Sequence, residues 1–232
     1  MLYFFWISLT VSLCLVWIVR RSSDLKFPVH LALELTGWLL VAIPLGARLF
    51  HVVYEQPSYY AEQPLRILEV WSGGFVYYGG WIAGLLVTGL FFRTPRERSF
   101  WQTADFLSPV LSFGSGIGRF ACFLQGCCYG QEWTGLLSIQ GRHPAQLYQM
   151  FWDLGVGLLL LILEKKKSLH TGVHFGLWLL LSGVGRFAVE FFRADFRGYF
   201  LMGLSISQWI ALGIMVVGLA ILKTRRQAIR KL

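Results

Sequence analysis

Long apolar stretches alternate with short polar connections along nearly the whole chain. Each stretch has about 20 mainly apolar residues, the length with which one helix crosses the hydrocarbon core of a bilayer. The pattern predicts seven spanning helices, at residues 2–19, 31–52, 73–92, 104–124, 145–163, 172–192 and 202–222. We therefore predict an all-α, polytopic membrane protein in which residues 1–232 form a single integral membrane domain.

Composition agrees with this pattern. Of the 232 residues, 56% are hydrophobic, 16% are aromatic and 14% are charged, which departs strongly from soluble globular domains. The first stretch has no basic residues before it and no small-residue cleavage site after it, so it lacks the features of a removed signal peptide. We count it as a spanning helix.

The charges predict an orientation in the membrane. The formal net charge is +9, and basic residues cluster after the first, third, fifth and seventh stretches. These residues are Arg20, Arg21, Lys26, Arg93, Arg96, Arg98, Lys165, Lys166, Lys167, Lys223, Arg225, Arg226, Arg230 and Lys231. The opposite connections carry Arg66, Arg142, Arg193 and Arg197. The positive-inside rule then places the N-terminus outside and the C-terminus in the cytoplasm, and we predict no nucleic-acid partner.

Three arginines, Arg48, Arg119 and Arg186, lie inside predicted spans. An ionisable residue at the centre of a spanning helix costs about 2.5–3.5 kcal/mol on insertion scales and usually faces a polar cavity or a partner. All three spans run outward in the predicted topology, and each arginine lies towards the end of its span. We expect the three side chains at similar depth in the outer half of the membrane.

Two of these arginines share a local sequence. SGIGRFA (residues 115–121) returns as SGVGRFA (residues 182–188), with glycines one and three positions before the arginine. Small residues at this spacing let helices approach closely and leave room beside a guanidinium. Close packing with snorkelling arginines is the alternative interpretation of one such motif; two copies favour a binding site.

The arginines suggest an anionic ligand. A guanidinium offers a planar fork of donors that fits a phosphate, and phospholipid headgroups are the phosphates nearest to this depth. Glu190 follows Arg186 by four residues and precedes Arg193 by three, so we expect the three on one helix face. Pairing with an arginine is the favoured role of Glu190, and base catalysis is the alternative.

Two further segments carry candidate polar groups. Tyr78 lies in GGFVYYGGWIAG (residues 73–84), where an interfacial aromatic belt is the alternative to a hydroxyl facing inward. RHPAQLYQ (residues 142–149) places His143 before a proline suited to a first helical turn, with Gln146 close by. His143 can be a helix cap, a metal ligand or a general base, and its polar neighbours favour a functional role.

Several segments resemble the prolipoprotein diacylglyceryl transferase family, in order along nearly the whole chain. They are GARLF, WSGGFVYYGG, TADFLSPV, GRFACFLQGCCYG, RHPAQLYQ and GRFAVEFFR. The resemblance implies an enzyme that moves the diacylglyceryl group of phosphatidylglycerol to the thiol of the lipobox cysteine in a bacterial prelipoprotein signal peptide and releases glycerol phosphate. It also implies a multi-pass protein of the bacterial inner membrane, with the active site at the outer leaflet and no cofactor.

The resemblance also assigns residues. It implies catalytic roles for Arg119 and Arg186, and we expect His143 to deprotonate the acceptor thiol. The expected substrate-binding residues are Arg119, Arg186, Arg48, Tyr3, Tyr78, Gly130, Gln146, Glu190 and Arg193. The chain departs from the family where Tyr78 replaces a histidine and where Cys122, Cys127 and Cys128 occupy the signature.

The cysteines allow two interpretations, a disulfide or close packing of small side chains. Adjacent cysteines without a CxxC spacing supply too few ligands for a tetrahedral ion, so we predict no metal site. In an oxidising compartment Cys122 can bridge to Cys127 or Cys128, whereas close packing of small polarisable side chains is the favoured interpretation.

Two alternatives to the transferase also stay open: a divergent relative with another acceptor, and a non-enzymatic protein that binds anionic phospholipid.

Overall fold

The chain forms helices throughout its described part. A computed structural model describes residues 2–70, 73–165, 170–194 and 202–229, with the side chains of residues 2–4, 77, 78 and 226–229 left out. The α-helices are α1 (Leu2–Leu25), α2 (Val29–Phe50), α3 (Pro57–Glu62), α4 (Tyr77–Phe91), α5 (Phe100–Leu124), α6 (Ala145–Lys165), α7 (Val173–Glu190) and α8 (Ile206–Ile229). Within these ranges there are no strands, only isolated bridges. The all-α prediction is confirmed there.

In the part of the chain that the structure describes, five helices are long and apolar enough to cross a membrane. The candidate segments are Phe5–Leu25, Val29–Glu55, Phe100–Leu124, Ala145–Lys165 and Ile206–Arg225. The other two predicted spans coincide with α4, whose apolar part is the shorter Gly79–Phe91, and with α7. The chain therefore has the character of a polytopic membrane protein, and the count of seven spans stays a prediction.

The chain divides into two compact units. The smaller is Ser22–Ser99 and contains α2 to α4. There α2 packs on α4 through Gly46 and Gly79, and a Cβ at either glycine would collide with the backbone of the other. Small residues at this crossing allow the two backbones to touch.

The larger unit combines Met1–Arg21 with Phe100–Leu232 and contains most of α1 together with α5 to α8. Its pairs α5 with α6 and α7 with α8 make the most extensive contacts, and α7 also contacts α5 and α6. Asp105 of α5 accepts hydrogen bonds from the backbone N–H groups of Gly172 (2.5 Å) and Phe175 (2.8 Å). These N–H groups lie at the start of α7 and have no partner within the helix, so the carboxylate fixes where α7 begins.

Candidate functional site

The two motif arginines lie in the larger unit, on different helices. Arg119 lies five residues before the end of α5, and Arg186 lies four residues before the end of α7. Both are partly buried. Among the described residues, Arg119 makes no hydrogen bond or ion pair, so its guanidinium donors are available to a ligand.

Arg186 has a carboxylate partner on its own helix. Its Nη2 lies 2.7 Å from Oε2 of Glu190, whose side chain is 7% exposed. The hydroxyl of Ser205, which precedes α8, donates to Oε1 of Glu190 at 2.9 Å. Glu190 is thus held by two partners and orients the guanidinium, as expected from the spacing of four residues.

Asp153 of α6 connects the two arginines electrostatically. It is buried, with 3% of its surface exposed, and the charges of both Arg119 and Arg186 act on it. Its carboxylate accepts hydrogen bonds from Oγ of Ser115 at 2.7 Å and from Nε2 of Gln149 at 2.8 Å. Helices α5, α6 and α7 therefore place both arginines close enough for their charges to act on one buried acidic group. Sequence reasoning missed Asp153, although an acid inside a predicted span is itself a signal.

His143 lies in an aromatic enclosure just before α6. Its ring stacks on Trp133, with centroids 4.8 Å apart and planes 17° apart, and meets Phe192 edge-on at 5.1 Å. Its Nδ1 is 3.1 Å from the hydroxyl of Tyr148. Because Nδ1 is occupied, Nε2 is the ring nitrogen left to exchange a proton. These neighbours hold the imidazole in a defined orientation.

Gly130 joins the loop after α5 to the segment after α7. Its N–H donates to the carbonyl of His143 at 2.9 Å, and it forms an antiparallel bridge with Arg193. A Cβ at this position would lie 2.7 Å from the carbonyl oxygen of His143 and would also collide with the carbonyl oxygen of Phe192. Only glycine fits between these two backbones.

Arg193 does not share a helix face with Arg186 and Glu190, and that prediction is wrong. Helix α7 ends at Glu190, and the backbone turns before Arg193. Arg193 is 7% exposed and its carbonyl accepts a hydrogen bond from Nε2 of Gln131 at 3.3 Å. The pairing with Gly130 positions Arg193 beside the loop after α5 instead.

That loop carries two cysteines with opposite pKa shifts. The pKa of Cys128 is lowered to about 4 by hydrogen bonding with the thiol of Cys122, and further by Cys127 and Arg193. Burial raises the pKa of Cys127. Gln146, which is fully buried in the first turn of α6, donates from Nε2 to the carbonyl of Cys127. The sequence-predicted Gln146 therefore supports this loop.

Arg48 lies in the smaller unit, where backbone carbonyls surround its guanidinium. It donates to the carbonyls of Arg66 (2.7 Å), Ile67 (3.1 Å), Glu69 (3.2 Å), Gly73 (2.5 Å) and Gly74 (3.2 Å). Arg48 is 5% exposed, so it fixes the segment between α2 and α4. The side chains of Tyr3 and Tyr78 lie outside the described residues, and the substrate-binding roles of all three stay predictions.

Fold and site together define a helical membrane protein with a charged site among its apolar helices. The family model for prolipoprotein diacylglyceryl transferase matches residues 1–224. A phosphatidylglycerol–prolipoprotein diacylglyceryl transferase of Cupriavidus pinatubonensis is 36% identical over 225 residues, which cover 91% of this chain and 77% of the relative. The protein of the same name from Bacillus cereus is 32% identical over 232 residues, covering 91% and 83%. This chain belongs to the prolipoprotein diacylglyceryl transferase family, a family of transferases.

Proposed function

We propose that this chain transfers the diacylglyceryl group of phosphatidylglycerol to the thiol of the lipobox cysteine in a bacterial prelipoprotein. The thiol sulfur forms a thioether bond to a glycerol carbon, the carbon–oxygen bond to phosphate breaks, and glycerol phosphate leaves. Family membership supports the reaction. The single structural observation that carries it is that the charges of Arg119 on α5 and Arg186 on α7 both act on the buried carboxylate of Asp153 on α6.

The arginines bind the headgroup phosphate and stabilise the charge that grows on the leaving group. Arg119 has guanidinium donors available, and Arg186 is oriented by Glu190. Fixed cationic donors in a water-poor site contribute most where charge develops in the transition state. The negative charge of Asp153 offsets part of the positive charge of the two arginines, which lowers the cost of holding them among apolar helices.

His143 accepts the proton of the acceptor thiol. A thiol is nucleophilic only as thiolate, and a histidine is suited to the transfer because it exchanges protons near neutral pH. The contact of Nδ1 with the Tyr148 hydroxyl supports this role, because it leaves Nε2 as the nitrogen that accepts the proton. Glycerol phosphate leaves with the electron pair of the broken carbon–oxygen bond, and His143 then releases the thiol proton to solvent.

The protein lies in the bacterial inner membrane as seven spans in one integral domain, residues 1–232. Its N-terminus faces outside and its C-terminus the cytoplasm, and the site opens to the outer leaflet. The distribution of basic residues supports this orientation. Substrate contacts by Tyr3, Arg48, Tyr78, Gly130, Gln146 and Arg193 complete the proposal.

The experiment follows labelled phosphatidylglycerol onto a synthetic lipobox peptide. Wild-type protein is compared with Arg119→Ala and His143→Gln, and Arg20→Ala is the control because Arg20 is exposed on α1. We expect transfer by the wild type and the control. We expect Arg119→Ala to lower the transfer rate at least about 100-fold, which is the effect of removing one hydrogen-bond donor to an anion that develops in the transition state.

Other outcomes separate the alternatives. Wild-type protein that retains labelled lipid through Arg119 but transfers nothing would point to another acceptor or to lipid binding alone. Full turnover by His143→Gln would overturn the base assignment and leave the arginine assignment intact.

A further inference from the structure

Three of the four cysteines come together at the C-terminal end of α5. The Sγ atoms of Cys122, Cys127 and Cys128 all lie within 4.8 Å of one another, and those of Cys127 and Cys128 are 3.4 Å apart. All four cysteines are free thiols. The fourth, Cys14, lies in α1 and is not part of this cluster.

The end of α5 creates the cluster. Gly126 has φ +73°, the N–H of Cys127 donates to the carbonyl of Cys122 at 3.2 Å, and the N–H of Gly126 donates to the carbonyl of Phe123 at 3.1 Å. This is a Schellman motif, in which the residue after the left-handed glycine folds back over the third-last helical residue. Those two positions are Cys127 and Cys122, so the helix end itself brings their sulfurs together.

The backbone at Cys128 adds the third sulfur. Its φ of +65° lies in the left-handed region, which is uncommon for a residue with a Cβ. Residues held in such conformations cluster at functional sites, where the surroundings maintain them. Here the buried Gln146 provides such support through its hydrogen bond to the carbonyl of Cys127.

Two arginines make the surroundings of the sulfurs positive. The charge of Arg193 acts on Cys127 and Cys128, and the charge of Arg119 acts on Cys122. Three thiolates and one divalent ion carry a net negative charge, which a buried arginine offsets. Thiolates are the metal-binding form of cysteine.

We propose that Cys122, Cys127 and Cys128 bind one thiophilic metal ion of the Zn²⁺ class through three thiolates. Zinc–sulfur bonds of about 2.3 Å imply sulfur separations of about 3.8 Å, so no sulfur–sulfur distance in the cluster has to change by more than about 1 Å. Binding releases the thiol protons to solvent. Three protein ligands leave the fourth position open to an outside ligand. The sequence spacing of the adjacent Cys127 and Cys128 predicts no metal site, because it does not show that the helix end brings Cys122 next to them.

The test uses the purified full chain, stripped of metal and titrated with Co²⁺ and then Zn²⁺. We expect one Co²⁺ per chain, with sulfur-to-cobalt charge-transfer absorption that Zn²⁺ abolishes. Serine substitutions at Cys122, Cys127 and Cys128 should each weaken binding at least about 100-fold, because each removes one of three ligands. Cys14→Ser is the matched control and should bind as the wild type does.

A second measurement needs no variant and keeps the proposal testable if the serine variants fold poorly. Alkylation of the wild-type chain is compared with and without Zn²⁺, with each cysteine located by mass spectrometry. Protection of the three clustered thiols but not of Cys14 supports the site. Equal labelling with and without Zn²⁺, or a disulfide among the three in protein purified without reductant, overturns it. Neither readout depends on the proposed transferase activity.

Discussion

The two copies of the S-G-x-G-R-F-A motif have nearly the same sequence and different surroundings. In α7, Arg186 pairs with Glu190 four residues later on the same helix. In α5, Arg119 has no such partner among the described residues, and its charge acts on Asp153 of α6. A repeated motif therefore supplies two guanidinium groups, one oriented in advance and one available to a ligand.

The motif glycines differ in the same way. In α7 a Cβ at Gly183 would lie 2.6 Å from Met215, and a Cβ at Gly185 would collide with the indole of Trp152. In α5 a Cβ at Gly116 would lie 2.9 Å from Leu154, whereas a Cβ at Gly118 would have no atom of the described residues within 4 Å. The α7 copy is packed on both glycines, and the α5 copy is open beside Arg119.

Exchanging each arginine for glutamine gives the largest expected contrast. Arg119→Gln should reduce diacylglyceryl transfer at least about 100-fold with unchanged stability, since it removes a ligand contact. Arg186→Gln should also lower the free energy of unfolding, by about 3 kcal/mol, because it leaves the buried Glu190 without its cation. Transfer assays and denaturation in detergent micelles measure the two effects. Equal loss of stability in both variants would contradict the difference between the copies.

Asp153→Asn tests whether one carboxylate serves both copies. The amide presents a donor where Ser115 and Gln149 already donate, and it removes the negative charge near two arginines. We expect about 2 kcal/mol lower stability, the range for a buried group left mismatched. Asp24→Asn is the control because Asp24 is exposed near the end of α1. A variant as stable as this control would refute the shared role.

The glycines offer a matched pair for packing. Gly185→Ala should destabilise the protein by about 1–3 kcal/mol, as overpacking of a filled contact does. Gly118→Ala should be neutral or stabilise it by about 0.5–1 kcal/mol, since alanine favours a helix where space is open. The check is the melting temperature of each variant in the same detergent. A lower melting temperature for Gly118→Ala than for Gly185→Ala would contradict the packing difference between the two motif copies.

The motif serines give the smallest expected effect. Ser115→Ala removes a hydrogen bond to the Asp153 carboxylate and should cost about 1 kcal/mol of stability. Ser182, the equivalent residue in α7, makes no hydrogen bond among the described residues, so Ser182→Ala should change stability by less than about 0.5 kcal/mol. The denaturation midpoints of the two variants, measured in the same detergent, compare these stability losses. Similar losses at both positions would remove this distinction.

Much of the fold could be predicted because the length and apolar composition of a membrane helix can be recognised in the sequence. The seven predicted stretches coincide with α1, α2 and α4 to α8, with ends that differ by up to seven residues. Arg119 and Arg186 could be selected because a charged side chain inside an apolar span is costly in free energy and usually has a functional role. The shared face of Arg186 and Arg193 could not be judged correctly, because α7 ends at Glu190 and Arg193 instead pairs with Gly130, which is distant along the chain.

The sequence by itself determined the helices, the family and the two intramembrane arginines, because each is recorded in local composition or in short ordered motifs. Only the tertiary structure decided which groups meet. It placed Asp153 within the electrostatic influence of two arginines from other helices, enclosed His143 in aromatic rings from two separate segments, and folded Cys122 against Cys127 at a helix end. The physical reason is that contacts between helices depend on crossing geometry and caps, which residues distant along the chain set together.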